Sequence, residues 1–562
     1  MKIYFSIFAL CMSLYSFSQD DPVKAKPDRR GKVAVQPPKA AIDQYRIISI
    51  QNDTTYVDTS LTIQSEYKFN YLRTDQFGLL PFSNEGQPYN LLQFSLVRYS
   101  PFPGFGHKSK HINYIEANQI NYYSVATPLT ELYFKSVMEQ GQSVDAFITL
   151  NTSERLNFSI AYRGLRSLGK YINQLSSIGN FRFTTSYNTL NKRYYANFHY
   201  AGQDITNGEH GGITDTNDFE SGDPDFKKRA RLEVYFRDAK SFMKGKRFFL
   251  DHSFRINRAK ADNSIYLTHH LNYERKFFEF SQPSVATSLT DENGQITYFN
   301  RFGASYTDRN LNDRARYNRF YNKASVTYQN TTFGKFTLFA EDFRYNYYFD
   351  KILIFDTGAV PPLLHEEINT IGGQYEYRRN KWRGNFSYSS SIAGSPLSNL
   401  FGAISFSFND KNIVKLSLEN TNKLPDHNFD LNQSNYVAYN WYHDFKNEKI
   451  NTVEVEAVTQ WATASMQVRT INDFLFFSND RTDSIQIVTP KQYSNTINYL
   501  SVKLGKEFRF HKFALDNTIL YQKVEQNDDV LNVPALTTRN TLYYSNHFFK
   551  RALYIQTGIT LN

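Results

Sequence analysis

The sequence predicts an all-β fold, a large closed antiparallel transmembrane β-barrel of roughly 20–24 strands with short periplasmic turns and long extracellular loops. Three observations lead to this fold class. The chain of 562 residues is polar, with a mean hydropathy of -0.54, yet 41 Tyr and 48 Phe bring its aromatic fraction to 16%. Apolar and polar side chains alternate along many segments, and the chain begins with an export signal.

The first 18 residues have the features of a cleaved signal peptide. Lys2 gives the positive start, residues 3–14 form a short apolar stretch, and Ser16 and Ser18 are the small residues expected before a cleavage site. The apolar stretch is too short to cross a membrane as a helix. The sequence therefore predicts export from the cytoplasm.

Cys11 is the only cysteine of the chain. A lipoprotein anchor through Cys11 is the alternative to cleavage, although Leu10 is bulky where a small residue is expected. Cleavage leaves no thiol, which excludes disulfides, thiolate metal sites and cysteine nucleophiles. The net charge of +10 is mild over this length and no nucleic-acid module is present, so no nucleic-acid partner is predicted.

Two regions follow the signal peptide. Residues 19–44 hold several Pro and Lys without a periodic apolar pattern, which predicts a flexible linker. Residues 45–562 are strand-like throughout, and no long segment keeps apolar residues at helical spacing. We expect one barrel domain over 45–562.

The stretch FRFTTSYNTLNKRYYANFHYAG (181–202) illustrates the strand pattern. Phe181 and Phe183 share one face of an extended chain, and after a turn at Leu190 the residues Phe198 and Tyr200 do the same. Arg, Thr, Ser, Asn and His fill the opposite face. The pattern predicts a β-hairpin with one apolar side and one wet side.

Comparable segments recur along the chain, with boundaries uncertain by a few residues. The turn at Leu190 is short, whereas its two strands lead outward into long polar stretches, as in outer-membrane barrels. The candidate strands are 89–99, 129–138, 154–163, 230–237, 247–256, 333–348, 380–392, 399–409, 412–421, 449–461, 494–510, 511–525 and 551–561.

Membrane physics requires such strands to close into a barrel. Every backbone N–H and C=O group within hydrocarbon needs a protein partner, so no open sheet edge can face lipid. A barrel of about 20 strands encloses more space than its side chains fill, which leaves a channel or a lumen that needs a plug. A soluble β-sandwich gives the same alternation in any single strand and stays open as an alternative.

Two segments resemble the putative-porin family of outer-membrane barrels found in Bacteroidota. They are TSLTIQSEYKFNYLRTDQFGLLPFSNEGQPYN (59–90) and TPLTELYFKSVMEQGQSVDAFITLNTSERLNFSIAYRGLRSLGKY (127–171). The resemblance implies an outer-membrane β-barrel with pore activity and brings no catalytic residues. One departure is the last strand, which ends on Asn562 where such barrels commonly end on an aromatic residue. The chain is therefore expected either to be truncated at its C-terminus or to close with an atypical strand.

No motif predicts an enzyme, a cofactor site or a metal site. His269 and His270 are adjacent in a predicted strand and so face opposite sides. The segment GGITDTNDFESGDPD could offer carboxylates to Ca²⁺, but its spacing matches no EF-hand, and a polar extracellular loop is favoured.

Four arginines form one candidate pore constriction. The segment RNLNDRARYNRFYNK holds Arg309, Arg314, Arg316 and Arg319, which would attract anions if they lined a narrow point. A solvated loop is the alternative and is favoured. The apolar segment 349–367 with its two prolines is a second candidate for a loop that folds inward.

The predicted function is an outer-membrane porin for passive or weakly selective diffusion of small hydrophilic solutes, possibly anions. The predicted partners are outer-membrane lipid and these solutes, with homo-oligomers possible. One alternative is an energised, plugged transporter, although the roughly 70 residues between the signal peptide and the first long strand are few for a plug domain. Secreted β-rich binding protein and barrel enzyme are further alternatives.

Overall fold

The structure is a computed structural model that describes residues 40–58, 60–137, 139, 141–257, 263–285, 287–290, 296–299, 301–355, 358–480 and 485–562. The predicted signal peptide 1–18, with Cys11, lies outside these residues. So does the predicted linker 19–44, apart from its last five residues. The described chain from Asp43 onward forms one compact unit.

Nineteen strands in a single antiparallel sheet form the wall of a barrel. Their lengths range from 9 to 22 residues. In chain order they are β1 (Leu129–Val137), β2 (Gly141–Ser153), β3 (Leu156–Ser167), β4 (Ser176–Asn188), β5 (Tyr194–Gly208), β6 (Lys240–Arg255), β7 (Asn263–Ser284), β8 (Arg309–Asn330), β9 (Gly334–Tyr348), β10 (Leu363–Arg379), β11 (Trp382–Ala393), β12 (Ser398–Asn409), β13 (Asn412–Lys423), β14 (Glu448–Val458), β15 (Thr463–Asn472), β16 (Ile497–Phe510), β17 (Phe513–Glu525), β18 (Leu536–Phe548) and β19 (Leu553–Leu561).

Each wall strand pairs with the next in sequence from β1 to β19, and the connections alternate in length. One end of the barrel carries short turns, such as 331–333, 410–411 and 511–512. The opposite end carries long loops such as 209–239, 285–308 and 424–447. This is the alternation that the sequence predicted.

The two faces of the wall divide as the alternation predicted. Asn197 and His199 on β5 are fully buried toward the lumen. Phe181 on β4 points outward with 39% of its surface exposed, and Leu338 on β9 is 72% exposed. Large apolar side chains that no protein covers are the outer surface expected of a wall in lipid.

Residues 60–125, here called the interior segment, lie inside the barrel. They form short elements rather than wall strands: 3-10 turns at Ile63–Lys68, Phe94–Leu96, Lys108–Asn113 and Ala117–Gln119, and strands at Leu79–Pro81, Tyr89–Leu91 and Tyr122–Ser124. The predicted wall strand 89–99 is therefore wrong. Its aromatic residues pack in the lumen, where Phe94 contacts Tyr499 of β16 with ring centroids 5.2 Å apart.

The interior segment also reaches both ends of the wall sheet. Arg73 forms an ion pair of 2.6 Å with Glu131 on β1. The amide of Ile63 donates to Gln556 Oε1 on β19 at 2.8 Å. The first and the last wall strand therefore lie against the same short stretch of chain.

Other differences from the predicted strands have clear causes. Segment 230–237 is a loop with a 3-10 turn at Arg229–Arg231, although it is rich in β-prone residues. Segment 309–330, for which a solvated loop was favoured, forms the long strand β8. Its Arg and Asn side chains near the loop end point alternately inward and outward, so both faces of the strand are polar there. The nineteen described wall strands are one fewer than the lower end of the predicted range.

The remaining described elements are short and decorate the N-terminal part and the loops. No helix in the described ranges is long and apolar enough to cross a membrane. These elements are strands Arg46–Ile48, Thr54–Tyr56, Thr287–Thr290, Ile296–Phe299, Leu353–Phe355, Gly358–Val360, Leu431–Asn432, Trp441–Tyr442, Phe474–Asn479 and Val488–Tyr493, α-helices Thr216–Glu220 and His427–Asp430, and 3-10 turns Ile42–Gln44 and Val437–Tyr439.

Candidate functional site

Wall arginines hold the backbone of the interior segment. Arg247 on β6 donates to the carbonyl of Ile115 at 2.6 Å, and Arg469 on β15 donates to the carbonyl of Val97 at 3.2 Å. Arg163 on β3 donates to the carbonyl of Leu72 at 3.3 Å. The segment bonds its own backbone in short turns and one strand pair, and these charge-assisted bonds satisfy further carbonyls from the wall side.

Further hydrogen bonds join the interior segment to inward-facing side chains around the wall. They involve β4, β5, β17 and β18, so together with Arg247 on β6 and Arg469 on β15 they attach the segment at several separate positions of the wall. The pairs are Tyr67 with Thr541 (2.6 Å), Tyr71 with Asn180 (2.8 Å), Leu92 with Gln522 (2.8 Å), Ile115 with Gln203 (2.8 Å) and Tyr122 with His199 (2.9 Å).

A buried charge cluster forms where the interior segment meets β6, β7 and β8. Glu274 is fully buried and pairs with Arg247 at 3.2 Å and Arg319 at 2.9 Å. Glu116, from the interior segment, pairs with Lys276 at 3.2 Å. Burial acts to raise the pKa of the Glu116 carboxyl, but Lys276 and Arg247 hold that pKa below its usual value. The cluster fixes the segment by charge complementarity.

A second ionic cluster joins the interior segment to the loop 424–447. Asp426 is buried and accepts from Lys108 at 2.6 Å and from Lys423 at 3.1 Å. Lys423 also pairs with Glu448 at 3.3 Å. The two lysines hold the pKa of Asp426 well below its ordinary value in spite of the burial that acts to raise it. This loop therefore caps the lumen from the long-loop side.

Three histidines lie at the same junction. Burial lowers the pKa of His107 to about 3, of His111 to about 4 and of His427 to about 3. Their Nε2 atoms are buried without a hydrogen-bond partner among the described residues. No group of three His, Cys, Asp or Glu within the described ranges could hold a metal ion. The rings instead pack on aromatics, such as His427 on Tyr345 with centroids 4.1 Å apart.

The adjacent pair His269 and His270 points to opposite sides of β7, as the strand pattern required. His269 contacts His252 on the outer face, with ring nitrogens 3.1 Å apart. His270 pairs with Asp251 on the inner face at 3.0 Å. The two rings therefore share no site.

Two cavities remain beside the interior segment. The larger is about 460 Å³ and lies between residues 100–104 and the inner faces of β7 to β12. The smaller is about 220 Å³ and lies next to the buried charge cluster, and Gly104 and Arg319 line both. These spaces are the candidate functional site, because they are the room that the segment leaves in this part of the lumen.

The four arginines of the candidate constriction all lie on β8 but do not converge. Arg319 faces inward and lines both cavities. Arg314 and Arg316 have outward parity and pair with Glu279 and Asp350. Arg309 is exposed at the loop end of the strand, beside Asp308 at 3.4 Å. Of the four arginines, Arg319 is therefore the one that stays a candidate for a pore constriction.

Segment 349–367, the second candidate constriction, is partly buried and partly exposed in the structure. Phe349 and Val360 are buried in an apolar cluster that includes Tyr347 and Phe105 of the interior segment. Ile354 stays 82% exposed. Among the described residues of this loop, Phe349 and Val360 turn toward the lumen and Leu353 packs against the same cluster, whereas Ile354 does not.

Similarity to known proteins follows from this architecture. A barrel wall with an exposed apolar outer face and a polar, filled lumen defines an outer-membrane β-barrel. The model of the family described as putative porin matches residues 41–562, and the chain belongs to this family. The outer membrane is therefore its location. A sequence search of curated proteins finds no match.

Solved structures share the fold at low sequence identity. The copper transporter OprC is 10% identical with a TM-score of 0.57, over 85% of this chain and 82% of that one. A mutant of the ferric enterobactin receptor PfeA from Pseudomonas aeruginosa is 11% identical with a TM-score of 0.52, over 92% of this chain and 85% of that one. At this identity the likeness concerns the fold alone.

Sequence reasoning missed the interior segment and its anchors. The charged residues Arg247, Glu274 and Lys276 occupy inward positions of β6 and β7, where water was expected. The signal that could have found the segment is the mixture of Gly, Pro and aromatic residues over 69–106, which breaks the strand alternation.

Proposed function

We propose that the protein passes small hydrophilic solutes across the outer membrane by a narrow route beside the interior segment, not through an open pore. The observation that carries this proposal is the set of anchors that tie the segment to the wall from β3 to β18. A fixed, charged segment narrows the lumen, and the two cavities beside it are small and partly polar. Family membership supports a pore role.

The proposal includes closure of the wall between β1 and β19. With nineteen antiparallel strands, the first and the last run in the same direction, so a closing pair would be parallel. Closure is favoured by the lipid environment, which tolerates no open sheet edge. The contacts of Arg73 and Ile63 with the two end strands support it.

The proposal assigns no catalytic role and no cofactor. Many polar groups of the lumen are engaged in ion pairs and hydrogen bonds that position the segment, and among the described residues we assign none to a nucleophile and base pair. The proposed partners are outer-membrane lipid and the solutes themselves. Homo-oligomers and anion preference stay open predictions.

Liposome swelling tests the proposed route. The full chain is reconstituted and the rate of swelling is compared for solutes of increasing size, from glycerol to trisaccharides. We expect slow swelling with a sharp size limit. The double variant Arg247→Ala/Arg469→Ala loses two anchors and should swell faster with larger solutes. Fast, size-tolerant swelling of the unmodified protein would contradict the proposal.

A gated transporter is the second candidate function, favoured by the ion pair between Lys108 of the interior segment and Asp426 of loop 424–447. Such pairs can form and break as the segment moves. In that case the unmodified protein would not swell liposomes with any solute, whereas the anchor variant would.

A further inference from the structure

The larger cavity combines neutral polar groups with aromatic faces. Asn272 on β7, Gln374 on β10, Ser387 and Ser389 on β11 and Asn399 on β12 supply amides and hydroxyls along one side. These groups both donate and accept hydrogen bonds and carry no charge. They form a surface suited to hydroxyl groups.

Aromatic rings from β8, β9 and the interior segment also line this cavity. Phe102 of the interior segment stacks on Phe343 of β9 with centroids 4.5 Å apart, and Tyr321 of β8 lies edge-on to Phe102 at 6.1 Å. Phe339 adds a further ring to the lining. Ring faces in a polar cavity offer apolar contact to the C–H groups of a polar ligand.

The charges that line the cavity are already paired. Lys323 pairs with Glu341 at 3.1 Å, and Glu341 also accepts from Tyr321 at 2.8 Å and Thr370 at 2.6 Å. Arg319 pairs with Glu274 at 2.9 Å. A charged ligand would have to compete with these partners, so the cavity favours a neutral one.

Two buried polar atoms of the lining residues lack partners. Asn272 Oδ1 and Arg319 Nε have no hydrogen-bond partner among the described residues. The first is an acceptor and the second a donor, and both belong to residues at the cavity wall. Both atoms are screened from water, so a hydroxyl group would reach them only after a small movement of the two side chains; it would then serve both, because it donates one hydrogen bond and accepts others.

We infer that this cavity is a binding site for a neutral, hydroxyl-rich solute of the size of a mono- or disaccharide. Its volume of about 460 Å³ lies within the usual range of small-molecule sites. The inference deepens the proposed function, on which it rests, by naming the solute class. Amides and serines bind the hydroxyls, while Phe102, whose ring covers the buried Phe343, packs on the C–H faces.

Titration calorimetry of the full chain tests this site. The protein is kept in an amine-oxide detergent, since glucoside and maltoside detergents carry the chemistry of the probe. Glucose and maltose are the neutral probes, alanine is the zwitterionic probe and citrate is the anionic probe. We expect saturable binding of glucose or maltose and none of alanine or citrate at the same concentration.

Matched variants localise the binding. Asn272→Leu should weaken it roughly fivefold, the loss expected for one hydrogen bond. Ser389→Ala, a milder change that preserves folding, should weaken it by a smaller factor. Asn197→Leu is the control, since Asn197 also faces inward with an unpartnered Oδ1 but lies outside the cavity. The affinity of the Asn197→Leu variant for sugar should match that of the unmodified protein.

The outcomes separate the site from the transport role. Sugar binding without any liposome swelling would support the site and contradict the proposed function. Swelling without saturable sugar binding would overturn the site alone. Binding of alanine or citrate in preference to sugar, or equal loss in Asn197→Leu and Asn272→Leu, would also overturn it.

Discussion

The wall and the interior segment are held in place by different kinds of bonds. In the wall, the backbone N–H and C=O groups of each strand form hydrogen bonds with the next strand. The side chains determine which face of the wall meets lipid. In the interior segment, the backbone relies on wall side chains such as Arg247 and Arg469. The wall is therefore encoded by a repeating pattern of apolar and polar residues, whereas the position of the segment is encoded by individual charged residues.

Removing the central carboxylate of the buried charge cluster should have the largest effect. Glu274→Gln leaves Arg247, Lys276 and Arg319 with Glu116 as their remaining acidic partner in the cluster. We expect a loss of about 3–5 kcal/mol in the free energy of unfolding, as for other broken buried ion pairs. Urea titration in lipid vesicles measures it.

Glu454→Gln is the matched control for that variant. Glu454 also has inward parity, on β14, but forms no ion pair among the described residues. Its stability should change by less than about 0.5 kcal/mol. Equal losses in the two variants would mean that the charge cluster has no special role.

A charge on the outer face tests the wall itself. Phe198→Arg places a cation on the outward side of β5, where it should cost about 2–4 kcal/mol if the site lies near the bilayer midplane. Ser387→Arg places the same cation beside the inner cavity and should cost less. Folding yield in lipid vesicles compares the two. A larger penalty for Ser387→Arg would reverse the assignment of the faces.

Acid should loosen the interior segment before the wall. Burial depresses the pKa of His107 and His427 to about 3 and of His111 to about 4, so their neutral forms are favoured in the fold. The stability they contribute is present above the unfolded pKa of about 6.5 and is lost as the pH falls toward 3–4.

One carboxyl opposes this trend. Burial raises the pKa of Asp430 to about 7, so its contribution improves as the pH falls from about 7 toward 4. The three histidines outweigh the one carboxyl, so the free energy of unfolding should fall on balance between pH 7.5 and 4.5. Planar-bilayer conductance should rise over this interval, and less so in His107→Gln/His111→Gln/His427→Gln. A pH-independent conductance would contradict the expectation.

A single hydrogen bond should have the smallest effect. Tyr122→Phe removes the bond to the buried His199 ring at 2.9 Å and should cost about 1 kcal/mol. Tyr123→Phe is the control, because the Tyr123 ring packs on Phe147 and forms no described hydroxyl bond. Urea titration should separate the two variants by roughly that amount.

The sequence predicted the wall well and the lumen poorly. The hairpin 181–202 and the strands near 334–348 and 412–423 follow from alternation, because their two faces meet different solvents. Strand β8 was missed because Arg and Asn fill its outer positions near the loop end, where no lipid demands apolar residues. Alternation of apolar and polar residues indicates that the two faces of a strand meet different solvents. It therefore cannot identify a strand whose two faces are both polar.

The lumen could not be read from the sequence for a related reason. Residues 89–99 resemble a strand, yet they fill space inside the barrel, since aromatic residues pack equally well against a wall or within it. The partners of Arg247 and Glu274 are far apart in the chain. No pattern of neighbouring residues in the sequence predicts such contacts.

The most direct test of a lumen filled by the interior segment is single-channel conductance of the full protein during a urea step. The segment depends on side-chain anchors, so it should release at urea concentrations that leave the wall intact. We expect small steps in buffer, steps larger by about an order of magnitude in urea, and full reversal on washing. Large, stable steps already present in buffer would contradict the account.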